Sequence, residues 1–207
     1  MIKLIVLDLD GTLIDTKDIY LKAIVSSIKK KGYRINNLEK KVLSLMGIKL
    51  PIILTKLKIK KQDILEIKEM VHSKIYKKAS KVKPAEGIND LKKINLPKVI
   101  ISNSPLFFIK ETLKYIGFIP DKIMGTENFS TKASGIKKIA KIYKISTQDI
   151  LYVGDRKYDA IAAKKANCVS ALINHKISWG DEKELIKAKP DYIIKSFKEI
   201  QDILLKA

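Results

Sequence analysis

The sequence predicts an α/β fold in which a parallel sheet forms the core and an all-helical segment is inserted near its start. Three observations carry that expectation. Short, unbroken apolar runs recur along the chain, helical apolar spacing separates them, and the stretch between residues 15 and 83 holds no strand-like run at all. Strands that alternate with helices imply crossover units, and crossover units imply parallel pairing.

Taken in order, residues 2–8 form a continuous apolar run that ends in the polar turn Asp8-Leu9-Asp10-Gly11-Thr12, the pattern of a strand buried on both faces. Helical spacing follows in 16–31, 38–46, 51–57 and 62–79, with Gly32, Gly47 and Pro51 as breaks. A crossover needs one helix, not four. The surplus therefore reads as a helical cap over 15–83, closed by Lys83-Pro84, while 1–14 and 84–207 form the α/β core. Further strand-like runs stand at Lys98–Ser102, Ile150–Gly154, Val169–Ile173 and Asp191–Ile194, with another strand tip near Ile123-Met124-Gly125. Internal repeats and low-complexity segments are absent from the sequence.

Bulk properties narrow the function classes. A chain of 207 residues suits one domain with a smaller insertion, and 46% hydrophobic with 31% charged residues describes a folded chain rather than a disordered one. The formal charge of +20 comes almost wholly from lysine, since Arg34 and Arg156 are the only arginines. Such a charge invites a nucleic-acid partner. Against it, the lysines are spread over every predicted helix, without an Arg-rich tract or an aromatic-and-basic segment that would stack bases, so a generally basic surface is expected. A non-catalytic, nucleic-acid-binding protein stands as the alternative from another class. Cys168 is the single cysteine, which rules out an intrachain disulfide and fits a reducing compartment; its apolar setting suggests a small buried thiol. Met1–Leu7 is too short for a signal peptide or a membrane span, and no other apolar run approaches ~20 residues, so a cytoplasmic location without a membrane partner is expected.

The chemistry-bearing residues sit where apolar runs end. Asp8 and Asp10 lie past the carboxyl end of the first strand, the rim at which open α/β sheets place ligands, and two carboxylates there suit a hard cation. Ser102-Asn103-Ser104-Pro105 ends the second strand and offers a hydroxyl, an amide and the N–H groups of a helix start, equally suited to capping and to phosphate. Lys132 opens a helical segment after Ser130-Thr131, at the helix end that a cation ordinarily avoids. Finally, Gly154-Asp155 brings another carboxylate to the rim, and Asp159 falls in the first turn of the next helix, able to cap it or to reach toward a metal.

Four strand tips thus deliver Asp/Asp, Ser/Asn, Lys and Asp to one rim. In that order the chain resembles the haloacid dehalogenase-like hydrolase superfamily, in its branch with a helical cap after the first motif. Asp8-Leu9-Asp10-Gly11-Thr12-Leu13 resembles the first and most specific motif, Ser102-Asn103 the second, Lys132 the third, and Gly154-Asp155 with Asp159 the fourth. Leu45–Pro51 looks like the specificity loop of phosphoglycolate phosphatase-like members. The third-motif lysine of the family is commonly followed by proline, where this chain has Ala133, so Lys137 and Lys122 stand as alternatives.

The resemblance implies a Rossmann-like core and a Mg²⁺-dependent phosphatase that hydrolyses a small phosphorylated metabolite through an aspartyl-phosphate intermediate; a small anionic phosphomonoester such as phosphoglycolate is expected, with a nucleotide or sugar phosphate fitting almost as well. Asp8 would be the nucleophile and Asp10 the general acid and base; Asp8, Asp10 through its carbonyl, and Asp155 would hold Mg²⁺. Ser102, the backbone N–H of Asn103, and Lys132 would bind phosphate, with Asp159 as an outer-shell partner of the metal. Retention of Asp10 argues for phosphatase over dehalogenase, because halide departs without a proton. A sugar-phosphate mutase or a nucleotidase or pyrophosphatase of the same superfamily remains an alternative. Position alone suggests Thr16, Lys17, Tyr20, Gly47 and Lys49 as contacts between cap and substrate, and the sequence leaves the oligomeric state open.

Overall fold

A computed structural model describes residues 1–206. The first strand, β1 (Leu4–Leu7), runs through a tight turn into the two-residue β2 (Ile14–Asp15). Four helices follow: α1 (Lys17–Lys30), α2 (Leu38–Leu45), α3 (Leu50–Lys56) and α4 (Lys61–Tyr76). The chain then returns through a 3₁₀ turn at Ala79–Lys81 to β3 (Lys83–Pro84), which pairs antiparallel with β2, Asp15 opposite Lys83. This ribbon stands where the chain leaves the sheet for the four helices and where it comes back. The helical spacing expected to reach residue 79 stops at Tyr76, because the last turn tightens into the 3₁₀ geometry.

The remaining elements alternate as expected: α5 (Ile88–Lys93), β4 (Lys98–Ile101), α6 (Leu106–Tyr115), β5 (Lys122–Met124), α7 (Lys132–Tyr143), β6 (Ile150–Gly154), α8 (Lys157–Ala166), β7 (Val169–Ile173), α9 (Glu182–Ala188), β8 (Tyr192–Ile194) and α10 (Glu199–Lys206). Six strands form one sheet in the order β5-β4-β1-β6-β7-β8, with every pairing parallel. The chain builds outward from β1 through β4 to β5, then crosses to the other side of β1 with β6. The strand order reverses at β1, and the crevice beyond its carboxyl end is where a sheet of this kind receives a ligand.

Burial explains why β1 reads as an unbroken apolar run. Alternate residues serve opposite faces: Ile5 and Leu7 join Ile100, Leu151, Val153 and Phe108 on one side, while Leu4 and Val6 join Val99, Ile101, Tyr152 and Ile136 on the other. The first of these clusters continues into the four-helix segment through Ile24, Ile28, Val42, Ile67 and Val71, all nearly or wholly inaccessible, so the segment is packed onto the sheet layer rather than tethered to it. Among the described residues no helix is long and apolar enough to cross a membrane.

Candidate active site

The ladder places the first carboxylate. Asp8 N–H donates to the Val153 carbonyl at 2.9 Å, which extends the β1–β6 pairing by one residue and sets the Asp8 side chain at the reversal crevice. Behind it the chain must turn at once, and Gly11 allows this with φ +77. Glycine is needed there for space as well: a Cβ would lie 2.3 Å from Asp155 Oδ2 and 2.7 Å from Trp179 Cδ1.

Lys132 is fixed from the opposite side. Thr131 and Ser134 cap α7 reciprocally, each side chain accepting from the other's backbone N–H at 3.1 Å, and Lys132 is the first helical residue. A helix amino terminus repels a cation. Here two carboxylates outweigh it: Lys132 Nζ lies 2.6 Å from Asp8 Oδ2 and 2.7 Å from Asp159 Oδ1, all three side chains at most 7% exposed. Burial works against the ammonium, but Asp159 and Asp8 more than compensate and hold Lys132 firmly protonated. The alternative lysines, Lys122 and Lys137, are exposed on the surface.

Asp159 is saturated. Its Oδ1 also accepts from Tyr152 Oη at 3.1 Å, and its Oδ2 accepts from the backbone N–H groups of Asp155 and Arg156, so it both caps α8 and clamps Lys132. Asp155 is wholly buried, accepting from Thr12 Oγ1 and the Trp179 N–H. Asp10 accepts from Thr16 Oγ1 at 2.8 Å, from Ser102 Oγ at 3.0 Å and from Ser104 Oγ.

Burial pushes all three rim carboxyls up. Asp8 rises to about 7, with Lys132 pulling the other way; Asp10 rises through burial although three hydroxyls favour its charged form; Asp155 rises well above the usual range through burial and then the neighbouring charges of Asp159 and Asp8. Asp8 Oδ1 is buried with no hydrogen-bond partner, and Asp8, Asp155 and Asp159 bring carboxylate oxygens within 4.8 Å of one another. An orphaned oxygen in an all-oxygen cluster fits a hard divalent cation. Both oxygens of Asp159 and both of Asp155 already accept hydrogen bonds, which leaves Asp8 Oδ1 as the oxygen of the cluster without a partner.

A cavity of about 50 Å³ opens above Asp8, lined on the sheet side by Asp8, Asp10, Ser102, Asn103, Ser104 and Lys132. That is a few times the ~10–15 Å³ that holds one water. Of the helical-segment candidates, Tyr20 and Gly47 line it. Tyr20 Oη is 2.6 Å from Ser104 Oγ, and the Gly47 carbonyl accepts from Asn103 Nδ2 at 2.8 Å. Thr16 is instead fully buried beneath Asp10. Lys17 lies outside the lining, and Lys49 turns away from it to donate to the carbonyls of Thr126, at 2.7 Å, and Phe129. Two lining residues with hydrogen-bonding side chains, Ser104 and Trp179, were not among the site candidates of the sequence. Ser104 belonged to a strand tip already singled out, whereas Trp179 sits in the loop after β7, where nothing in the local sequence signals a role.

Comparisons with known proteins identify the family. The haloacid dehalogenase-like hydrolase family matches residues 5–173. A relative from Caldanaerobacter subterraneus subsp. tengcongensis, whose name assigns it provisionally as the pyrophosphatase PpaX, is 28% identical over 97% of this chain and 93% of its own. The phosphoglycolate phosphatase of Neisseria gonorrhoeae is 31% identical over 57% of this chain and 52% of its own. Among solved structures, a predicted phosphatase from Clostridium acetobutylicum superposes with a TM-score of 0.85 at 24% identity, covering 100% of both chains, which shows a shared fold.

Proposed function

The chain belongs to the haloacid dehalogenase-like hydrolase family, and from that premise we propose that it is a Mg²⁺-dependent phosphatase that hydrolyses a small phosphomonoester through an aspartyl-phosphate on Asp8. The observation that carries the reading is Asp8 Oδ1, a buried carboxylate oxygen with no partner, at the reversal point of the sheet beside a protonated lysine. The phosphatase names of relatives that match nearly the whole chain support the reaction class.

Each residue has a part. Asp8 attacks phosphorus, forming an O–P bond as the ester P–O bond breaks, and the departing alkoxide takes a proton from Asp10, whose raised pKa suits a carboxylic acid that must hold one. Water then attacks the acyl-phosphate; Asp10 accepts its proton, inorganic phosphate leaves, and Asp8 is restored as a carboxylate. Thr16, Ser102 and Ser104 orient Asp10, and Lys132 with the Ser102–Asn103 tip faces the charge on the transferring oxygens. Asp8 and Asp155, with the Asp10 carbonyl, would hold Mg²⁺. When bound there, the cation offsets the repulsion between carboxylate and phosphate. Asp159 fixes Lys132. The four-helix segment over 15–83 serves as a cap, with Tyr20 and Gly47 nearest the substrate.

The test is hydrolysis of p-nitrophenyl phosphate and a phosphometabolite panel, pyrophosphate included, with Mg²⁺. Turnover by the native chain that is lost in Asp8→Asn is the expected result, and retained turnover in the variant removes Asp8 as nucleophile.

A further inference from the structure

We infer that the leaving-group side of the cavity accepts a small uncharged group bearing a hydrogen-bond acceptor, positioned by the indole N–H of Trp179, and that it disfavours leaving groups with a negative charge of their own. The inference rests on the phosphatase reading of the site and names the substrate class within it.

Two observations lead there. The first is the character of the apolar part of the lining. Tyr20, Ile24, Met46, Ile48, Leu50 and Trp179 form it, and the cation that the lining contains among the described residues, Lys132, is already committed to Asp8 and Asp159. Lys49, the one lysine of the loop between α2 and α3, spends its ammonium on the Thr126 and Phe129 carbonyls. Arg156 is held by Glu184 at 2.7 Å and by the Leu43 carbonyl at 3.2 Å. A carboxylate or second phosphate entering this side would give up its hydration against aliphatic and aromatic surface with no cation to meet it, which is strongly unfavourable.

The second observation is an unused donor. Trp179 Nε1 is buried without a hydrogen-bond partner, although buried indole N–H groups ordinarily find one. The indole is held in place by its neighbours: its ring packs edge-on to Tyr20 with centroids 5.7 Å apart, and its backbone N–H is bound to Asp155. The other aromatic donor of the lining, Tyr20 Oη, is paired with Ser104. Trp179 lines the cavity, and we assign the acceptor for Nε1 to that space. A neutral hydroxyl or carbonyl oxygen meets that single donor fully, while an anion requires more than one donor offers.

Three two-carbon esters separate the possibilities in the Mg²⁺-loaded enzyme: 2-hydroxyethyl phosphate, ethyl phosphate and phosphoglycolate. The expected order of kcat/KM places 2-hydroxyethyl phosphate first and phosphoglycolate last, at least about tenfold below it. Trp179→Phe keeps an aromatic ring, smaller than the indole, and removes the donor; it should raise KM for 2-hydroxyethyl phosphate about fivefold, the loss expected of one neutral hydrogen bond, with a smaller effect on ethyl phosphate, which has no acceptor there and reads the packing change alone. Trp179 is the only tryptophan, so its emission reports the subsite directly. In Asp8→Asn the emission should respond to 2-hydroxyethyl phosphate at lower concentration than to phosphoglycolate. Hydrolysis of p-nitrophenyl phosphate together with a preference for phosphoglycolate or pyrophosphate would overturn this inference and leave the phosphatase reading standing. With no ester hydrolysed, p-nitrophenyl phosphate included, both fall. The substrate order is read on the native chain, so the inference is decided even where Trp179→Phe folds poorly.

Discussion

Replacing Lys132 by Met tests what holds the site together before any substrate arrives. Methionine keeps most of the side-chain volume and removes the charge. Lys132 Nζ lies 2.6 Å from Asp8 and 2.7 Å from Asp159, with side-chain exposures of 5%, 7% and 1%, so solvent screening does little for the two carboxylates once the ammonium is gone. Exposed ion pairs contribute about 0–1 kcal/mol, but removing one partner of a buried pair costs about 3–5 kcal/mol because a charge is left uncompensated. That is a large share of the ~5–15 kcal/mol that a folded chain has in total. Urea denaturation in a metal chelator should therefore show Lys132→Met less stable by about 3–5 kcal/mol. Adding Mg²⁺ should recover part of the loss if Asp8 and Asp155 hold it as proposed, through the charge on Asp8. Lys132→Met combined with Asp159→Asn should lose less than the sum of the two single changes. A loss under about 1 kcal/mol in chelator, with additive behaviour in the double variant, would refute the claim that Lys132 neutralises the buried carboxylates.

Three further outcomes follow from the geometry. Asp10→Asn should lower kcat about 10²–10⁴-fold on an alkyl phosphate, and much less on p-nitrophenyl phosphate, whose leaving group departs without a proton; steady-state kinetics on the pair reads the difference. Gly11→Ala should weaken Mg²⁺ binding and lower thermal stability, because its Cβ would fall 2.3 Å from Asp155 Oδ2 on a backbone with φ +77; calorimetric titration with Mg²⁺ and a melting curve check both. His72 on α4 packs against Phe107, and burial, with Lys68 adding to it, lowers its pKa from 6.5 to about 4. Its neutral form is the one the fold favours, so stability from this residue is full above pH 6.5 and declines as pH falls toward about 4. The ring is partly solvated, which keeps the effect to about 1–2 kcal/mol. Denaturation from pH 7 to 4 in His72→Gln should show a shallower decline than in the native chain.

Much of the fold was legible because its signal is strong. In β1, β6 and β7 nearly every residue is buried, so each reads as a continuous apolar run, and the reversal of strand order at β1 turns four separate strand tips into one rim. The β2–β3 ribbon was illegible because two residues cannot display a period of two. At the site, Asp8, Asp10, Ser102, Lys132, Asp155 and Asp159 come together from their own motifs. Positions in the helical segment were harder to read. Sequence places Lys49 on the loop facing the sheet, but only packing decides that its ammonium prefers two backbone carbonyls, and that Thr16 goes beneath Asp10 rather than toward a substrate. Trp179 reaches the cavity solely through the loop that follows β7, in contact with Asp155 and Tyr20, a long-range result of chain path that no local pattern encodes.

The central claim is that Asp8 carries the phosphoryl group. Acid quenching during turnover in Mg²⁺, followed by peptide mass analysis, measures it most directly. The account predicts one phosphoryl group on the peptide containing Asp8, absent from Asp8→Asn and lost on treatment with hydroxylamine; a phosphoryl group recovered on another residue of the native enzyme, or turnover undiminished in Asp8→Asn, would contradict it.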